Sequence, residues 1–139
     1  MSEQTAKLLK LFCLVSLGFL EGCSQKGLQS LEGQVVFKDG GAFEFAGDSI
    51  ELRSQSDSSL SAFGEIKPDG KFKIDSLTEG KLVPGTKAGV YSARIVISDD
   101  DYEHKKLAAK AINKKYLSFE TSGLSVTVPA SGLTLTISK

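Results

Sequence analysis

The run Val90-Tyr91-Ser92-Ala93-Arg94-Ile95-Val96-Ile97 is the most β-rich stretch of the chain. It consists mainly of β-branched, aromatic and small residues, and the first two classes favour strands. Shorter runs of alternating apolar and polar residues lie on both sides of it, at residues 31–37, 49–53, 60–66, 71–75, 124–128 and 133–137. Runs at this spacing, separated by turn residues, predict an all-β fold, an antiparallel β-sandwich of about seven strands.

The turn Lys67-Pro68-Asp69-Gly70 carries the strongest hairpin signal. Proline presets φ at the second turn position, and glycine accepts a positive φ. We therefore expect residues 71–75 to return as the partner strand of residues 60–66.

One segment departs from the strand pattern. Asp100 and Glu103 have the spacing of a capping box, and apolar residues recur behind them at helical intervals. The sequence therefore predicts one short helix near residues 100–114, inserted between strands. Lysines fill much of the segment 105–115, which we interpret as a solvated helix face, the alternative being a surface that docks on anionic headgroups or envelope polymers.

Composition limits the possible functions. The chain has 139 residues, of which 17 are basic and 17 acidic, with one His and two Cys. This length suits one domain, and zero net charge argues against nucleic acid as the main partner. So few His and Cys residues exclude most metal sites and most histidine-dependent catalysis. The expectation is therefore a protein that is not an enzyme, with no catalytic residues and no cofactor.

Two groups of polar residues are candidate sites. His104 is the only histidine, and in a charged helical stretch without a neighbouring nucleophile pattern it is expected to be a solvated surface residue. The carboxylates of Asp99, Asp100 and Asp101 are weak candidates for calcium ligands. They lack the alternating spacing of a dedicated calcium loop, so helix capping is the preferred interpretation.

The N-terminus has the pattern of a targeting signal. Lys7 and Lys10 precede the apolar run 11–20, which is shorter than the roughly 20 residues of a membrane span. Leu20-Glu21-Gly22-Cys23 resembles the lipobox of bacterial lipoproteins, in which cleavage precedes a cysteine that becomes acylated. The resemblance implies a signal peptide at residues 1–22, a lipidated Cys23 with a tether over residues 23–30, and a domain over residues 31–139. The alternative is a buried N-terminal helix in which Cys23 is an ordinary thiol.

Three further motifs suggest a domain family. Parts of carboxypeptidase regulatory-like domains resemble Leu31-Glu32-Gly33-Gln34-Val35, Asp69-Gly70-Lys71-Phe72-Lys73-Ile74 and Ala88-Gly89-Val90-Tyr91-Ser92-Ala93-Arg94-Ile95. These domains are transthyretin-like β-sandwiches, related in architecture to immunoglobulin domains and common in exported bacterial proteins. The resemblance implies a transthyretin-like β-sandwich over about residues 31–137.

Together these features predict a non-catalytic, membrane-anchored lipoprotein of the cell envelope with an accessory, structural or protein-interaction role. Its location would be the outer membrane facing the periplasm, or the cell surface. Its expected partners are the lipid bilayer, through acylated Cys23, and an envelope protein or glycan. The alternative is a carbohydrate-binding module, although Trp is absent and Tyr91, Tyr102 and Tyr116 are dispersed in the sequence.

Overall fold

The computed structural model describes residues 27–42 and 45–139. Strand is the main secondary structure of this part of the chain. The strands are β1 (Leu28–Gln29), β2 (Glu32–Phe37), β3 (Ser49–Ser54), β4 (Ser61–Glu65), β5 (Lys71–Lys73), β6 (Asp75–Thr78), β7 (Lys81–Pro84), β8 (Thr86–Lys87), β9 (Gly89–Val96), β10 (Leu124–Val128) and β11 (Leu133–Ile137). The helices are α1 (Tyr102–Ala111) and α2 (Phe119–Ser122), with a 3-10 turn at Lys114–Leu117 between them.

The described strands form two larger sheets and one small one. The first is six-stranded in the order β10-β9-β3-β4-β6-β7, the second is three-stranded in the order β11-β2-β5, and β1 pairs with β8. Alternation along each strand turns apolar side chains inwards, so both larger sheets contribute to one core. Val35 and Ile137 come from the three-stranded sheet, while Ile50 and Ile95 come from the six-stranded sheet, and all four are buried. The architecture is therefore all-β and sandwich-like.

The expectation of purely antiparallel sheets is wrong at one pair, because β11 runs parallel to β2. β10 descends along β9, with Leu124 opposite Ala93 and Val128 opposite Gly89. The chain then crosses to the other sheet and reverses, so β11 runs in the same direction as β2.

The expected hairpin after Gly70 is confirmed in part, because Lys67 donates its backbone N–H to the Lys71 carbonyl oxygen at 2.8 Å and Asp75 pairs with Phe63 of β4. Gly70 has a φ of 83°, and its N–H donates to the Lys67 carbonyl oxygen at 2.8 Å. The strand that follows, β5, pairs with β2 instead of β4. Ile74 then donates its backbone N–H to Leu31, and the chain changes sheet so that β6 pairs with β4.

The helical segment differs from its prediction in detail. α1 lies within the predicted range 100–114, but the side chain that caps it belongs to Asp101 instead of Asp100. The 3-10 turn and α2 were not predicted. No helix within residues 27–42 and 45–139 is long and apolar enough to cross a bilayer.

The strands give the sandwich two distinct ends. We call the end that holds Leu28–Gln29 and its partner Thr86–Lys87 the β1 end. β9 starts there at Gly89 and runs for about 24 Å to Val96, given the rise per residue of an antiparallel strand. Val96 pairs with Ser49, next to Asp48, so we call the opposite end the Asp48 end.

β2 confirms this assignment of the ends independently. It begins four residues after β1 starts and finishes at Phe37, whose ring stacks on Phe45 with centroids 4.4 Å apart. Phe45 in turn accepts the backbone N–H of Asp48. Since β2 and β9 both run from the β1 end to the Asp48 end, the two ends lie on opposite sides of the core.

β1 itself was not predicted as a strand. It lies within residues 23–30, the range that the sequence analysis assigns to the tether. Its pairing with β8 joins the chain to the domain at the β1 end before the core residue Leu31 is reached.

Candidate functional site

A buried carboxylate lies at the centre of the Asp48 end. Asp48 is fully buried, and its Oδ1 accepts hydrogen bonds from the Ser98 backbone N–H at 3.0 Å and from His104 Nε2 at 2.8 Å. Its Oδ2 is also buried and has no hydrogen-bond partner among the described residues. When Asp48 is ionised its carboxylate can only accept, and this bond then requires a proton on Nε2 of His104.

Local capping chemistry brings His104 to this position. β9 ends at Val96, and the Asp101 side chain then accepts the backbone N–H groups of Glu103 at 2.8 Å and His104 at 3.2 Å. These bonds satisfy donors that a helix leaves free at its N-terminus. They fix the first turn of α1 so that the imidazole reaches Asp48.

Each residue of the aspartate triplet therefore has a structural partner. Asp99 forms an ion pair with Lys105, Asp100 accepts from the Ser98 hydroxyl at 3.1 Å, and Asp101 caps α1. Across the ranges 27–42 and 45–139, no group of three or more His, Cys, Asp or Glu side chains is arranged to hold a metal ion.

An open groove of about 710 Å³ lies beside the Asp48–His104 pair. Two half-exposed apolar side chains, Phe63 and Val96, line it, each 38% exposed. Three carboxylates also line it, from Glu65, Asp100 and Asp101. The groove therefore combines apolar surface with negative charge.

Sheet register explains how these residues meet. Ser49 of β3 stands between Glu65 of β4 and Val96 of β9, so the three residues form one row across the six-stranded sheet. Phe63 lies two residues before Glu65 and points to the same face. The loop from residue 97 to 101 and the start of α1 close the groove on the side of Val96.

Burial raises the pKa of Asp48, since a charged carboxylate loses its hydration inside the protein. The hydrogen bonds from Ser98 and His104 favour the charged form and partly oppose this effect. Protonation of Asp48 is consequently coupled to the contact between α1 and the sheets.

The prediction of a solvated His104 is wrong. Its side chain is 23% exposed and bonded to a buried acid that lies 56 positions earlier in the chain. Asp48 was missed as a site residue because Gly47-Asp48-Ser49 has the composition of an ordinary turn before a strand. Its burial depends on the tertiary packing of α1, which local pattern does not report.

The pair resembles the histidine–carboxylate part of a hydrolytic triad, in which a hydroxyl nucleophile would bond to the other ring nitrogen. Among the described residues, Asp48 is the hydrogen-bond partner of the imidazole. The observed contacts thus describe a structural pair that borders the groove.

A second polar cluster covers the outer face of the six-stranded sheet. The guanidinium groups of Arg53 and Arg94 lie 4.2 Å and 4.8 Å from the ring centroid of Phe119. Arg53 pairs with Glu120 at 2.9 Å, and Arg94 pairs with Glu51 at 2.6 Å. The hydroxyl of Ser118 and the Arg53 guanidinium lower the pKa of Glu120 to about 2. These charges neutralise one another and hold α2 against β9.

The segment 105–115 buries Ala108 and Ile112 in the core and leaves its lysines exposed. Lys105 pairs with Asp99, and the Lys115 ammonium lies 4.7 Å from the Tyr116 ring centroid. Lys106, Lys110 and Lys114 are exposed.

The three tyrosines do not form an aromatic platform. Tyr91 and Tyr116 are buried, while Tyr102 is 75% exposed on α1. The Tyr91 hydroxyl donates to the Lys87 carbonyl oxygen at 2.8 Å, which fixes it at the β1 end.

The predicted signal peptide at residues 1–22 and the predicted lipidation site Cys23 lie outside the described residues. In comparisons with known proteins, no family model, no curated protein and no solved structure matches this chain.

Replacing His104 by Ala should lower the free energy of unfolding by about 1–3 kcal/mol, because a buried carboxylate loses a hydrogen-bond donor. Lys106→Ala is the matched control on the same helix and should change it by less than about 0.5 kcal/mol, because Lys106 is exposed. Urea unfolding followed by circular dichroism measures both. Equal stability of the wild type and His104→Ala would contradict the role of this bond.

The pH dependence of stability should reveal the buried acid. The pKa of Asp48 is raised above 3.8 in the folded state, so the folded protein binds more protons than the unfolded chain just above that pH. Stability from this group is therefore lost as pH rises through that window. Asp48→Asn keeps an acceptor oxygen but cannot ionise.

We expect the unfolding free energy of the wild type, minus that of Asp48→Asn, to fall as pH rises above 3.8 and then to level off. Urea titrations at several pH values in parallel for both proteins give this difference. A difference that grows with pH would show that ionised Asp48 stabilises the fold instead.

Proposed function

We propose that this chain is an exported lipoprotein of the cell envelope. In this proposal acylated Cys23 anchors the β domain to a bilayer, and the domain acts by binding an envelope protein without catalysing a reaction. The observation that carries it is the arrangement of the two ends. The chain joins the domain at the β1 end, whereas the groove lies at the Asp48 end.

Chain length would keep the β1 end close to the bilayer. Residues 24–27 separate Cys23 from Leu28, and a chain of this length spans at most about 18 Å. Strand β9 adds about 24 Å between the β1 end and Val96 at the groove. The groove would then face away from the anchoring membrane, where a partner can reach it.

The chemistry of the groove favours a basic peptide segment as the ligand. Lysine and arginine carry an apolar stem and a charged head. The stem fits against Phe63 and Val96. Asp100 lies within the same groove and can receive the charge, as can Glu65, which already pairs with Lys67 at 3.3 Å. A glycan would gain more from stacked aromatic rings, and Tyr91 and Tyr116 are buried.

We also propose that the sandwich is of the carboxypeptidase regulatory-like, transthyretin-like kind. The motif residues 69–74 support this, because Gly70 forms the turn and both Phe72 and Ile74 point into the core. The motif around Tyr91 also falls on a strand, with the Tyr91 ring buried.

The anchor predicts which cysteine carries lipid. Cells that express the full chain with radiolabelled palmitate should label the wild-type protein, and Cys23→Ala should abolish the label and release the protein from the membrane fraction. Cys13→Ala is the matched control, because Cys13 lies in the predicted signal peptide, and it should leave the label unchanged. Palmitate on the Cys23→Ala protein would contradict the proposal.

The groove predicts where the partner binds. A photo-crosslinking amino acid placed at Phe63 should give a discrete crosslinked protein in intact cells, identified by mass spectrometry. Thr136 is the control position, because it is exposed on β11 of the other sheet. Adding Glu65→Lys should weaken the Phe63 crosslink by reversing charge in the groove. Equal crosslinking from Phe63 and Thr136, or a Phe63 product that Glu65→Lys leaves unchanged, would count against this site.

A further inference from the structure

The hairpin of β6 and β7 exposes a pair of leucines. Leu77 and Leu82 are opposite each other in the ladder, and they are 63% and 58% exposed. The two residues of the turn, Glu79 and Gly80, both have positive φ, at 52° and 76°. This conformation matches the twist of the flanking strands, so the tip is a defined two-residue turn.

The hairpin adjoins the β1 end through its base, because only Gly85 separates Pro84 of β7 from Thr86 of β8, and its ladder runs from there towards the level of the start of β9. Ser76 is opposite Ala62 in β4, and Ser61 is opposite Arg53 in β3. Arg53 is in turn opposite Ser92, near the start of β9. Along β6, the direction from Ser76 to Thr78 is therefore the direction along β9 from Ser92 back to its first residue, Gly89.

Surrounding side chains extend this surface. Lys81 follows the turn directly, and it is exposed. The hairpin thus combines two apolar side chains with one exposed cation, Lys81, and one exposed acid, Glu79, a composition suited to the boundary between lipid headgroups and acyl chains.

We propose that the tip of the β6–β7 hairpin is a second membrane contact, at which Leu77 and Leu82 enter the interfacial region of the bilayer that holds acylated Cys23. This inference rests on the proposed lipid anchor. The short chain between Cys23 and Leu28 supports it, because that chain would hold the β1 end, and the hairpin with it, at the membrane surface.

Physical chemistry favours a shallow contact. Removal of the leucine side chains from water is favourable, and the Lys81 ammonium can reach lipid phosphate groups. β7 is the edge strand of its sheet, so its outer backbone groups need water or another partner. The headgroup region still supplies water, whereas the hydrocarbon core would leave these groups unsatisfied.

Tryptophan fluorescence tests this contact without background, because the chain has no Trp. Leu77→Trp and Leu82→Trp place the probe on either strand of the hairpin, so that one variant remains if the other fails to fold. Leu107→Trp is the matched control, because Leu107 is 60% exposed but lies on α1. The full, lipidated chains are reconstituted in phosphatidylcholine vesicles with or without brominated acyl chains, and vesicle flotation and the mass of Cys23 report the anchor.

In floated protein, the hairpin probes should shift their emission to the blue and lose much of it to brominated lipid, while the Leu107→Trp emission stays unchanged. If the protein floats with acylated Cys23 but no hairpin probe is quenched, the contact is overturned and the anchor stands. A blue shift that needs high protein concentration and no lipid would assign the leucines to self-association, which also overturns the contact. Unmodified Cys23 and absence of flotation would overturn the anchor and, with it, this inference.

Discussion

Asp48 connects several separate parts of the chain through its buried carboxylate and its backbone. Its Oδ1 bonds to the loop after β9 through Ser98 and to α1 through His104. The backbone N–H of Asp48 donates to the Phe45 carbonyl oxygen, and the Asp48 carbonyl oxygen accepts the N–H of Ile66. Ile66 directly follows β4, so Asp48 is also bonded to the end of that strand. One buried acid therefore aligns β3, β4, β9 and α1 at the end of the sandwich where the groove lies. Burial of a charged group costs free energy unless the group is paired. Asp48 therefore favours the one arrangement of these segments that supplies its partners, and it contributes less to the overall free energy of folding.

Local sequence pattern predicted the strands better than their pairing. Residues 124–128 and 133–137 were predicted as strands, and these are the ranges of β10 and β11. Alternation reports which side of a strand is buried, but it does not report the partner strand. The change of sheet at Ile74 illustrates this, because the bond from Ile74 to Leu31 joins residues that are distant in sequence. Gly64 permits the change, since a Cβ there would lie 2.3 Å from the Lys73 carbonyl oxygen.

The candidate site was harder to predict than the fold. His104 is distinctive as the only histidine of the sequence, but its predicted solvated environment is wrong. Helical periodicity alone does not specify how far α1 rotates about its axis. Asp101 caps the helix where Asp100 was expected, and a shift of one residue rotates a helix face by about 100°. Asp48 carried no signal in the sequence, because an aspartate next to glycine usually indicates a turn.

The rigid sandwich links the two ends of the domain. β2 and β9 both run between the ends, and their side chains share one core, so the groove keeps a fixed orientation relative to β1 and to the β6–β7 hairpin. An acyl tether alone would restrict the distance of the domain from a bilayer but leave its tilt free. A second contact through Leu77 and Leu82 would restrict the tilt as well, because two separated points of attachment define an axis. The direction in which the groove faces would then depend on an exposed hairpin at the opposite end of the domain.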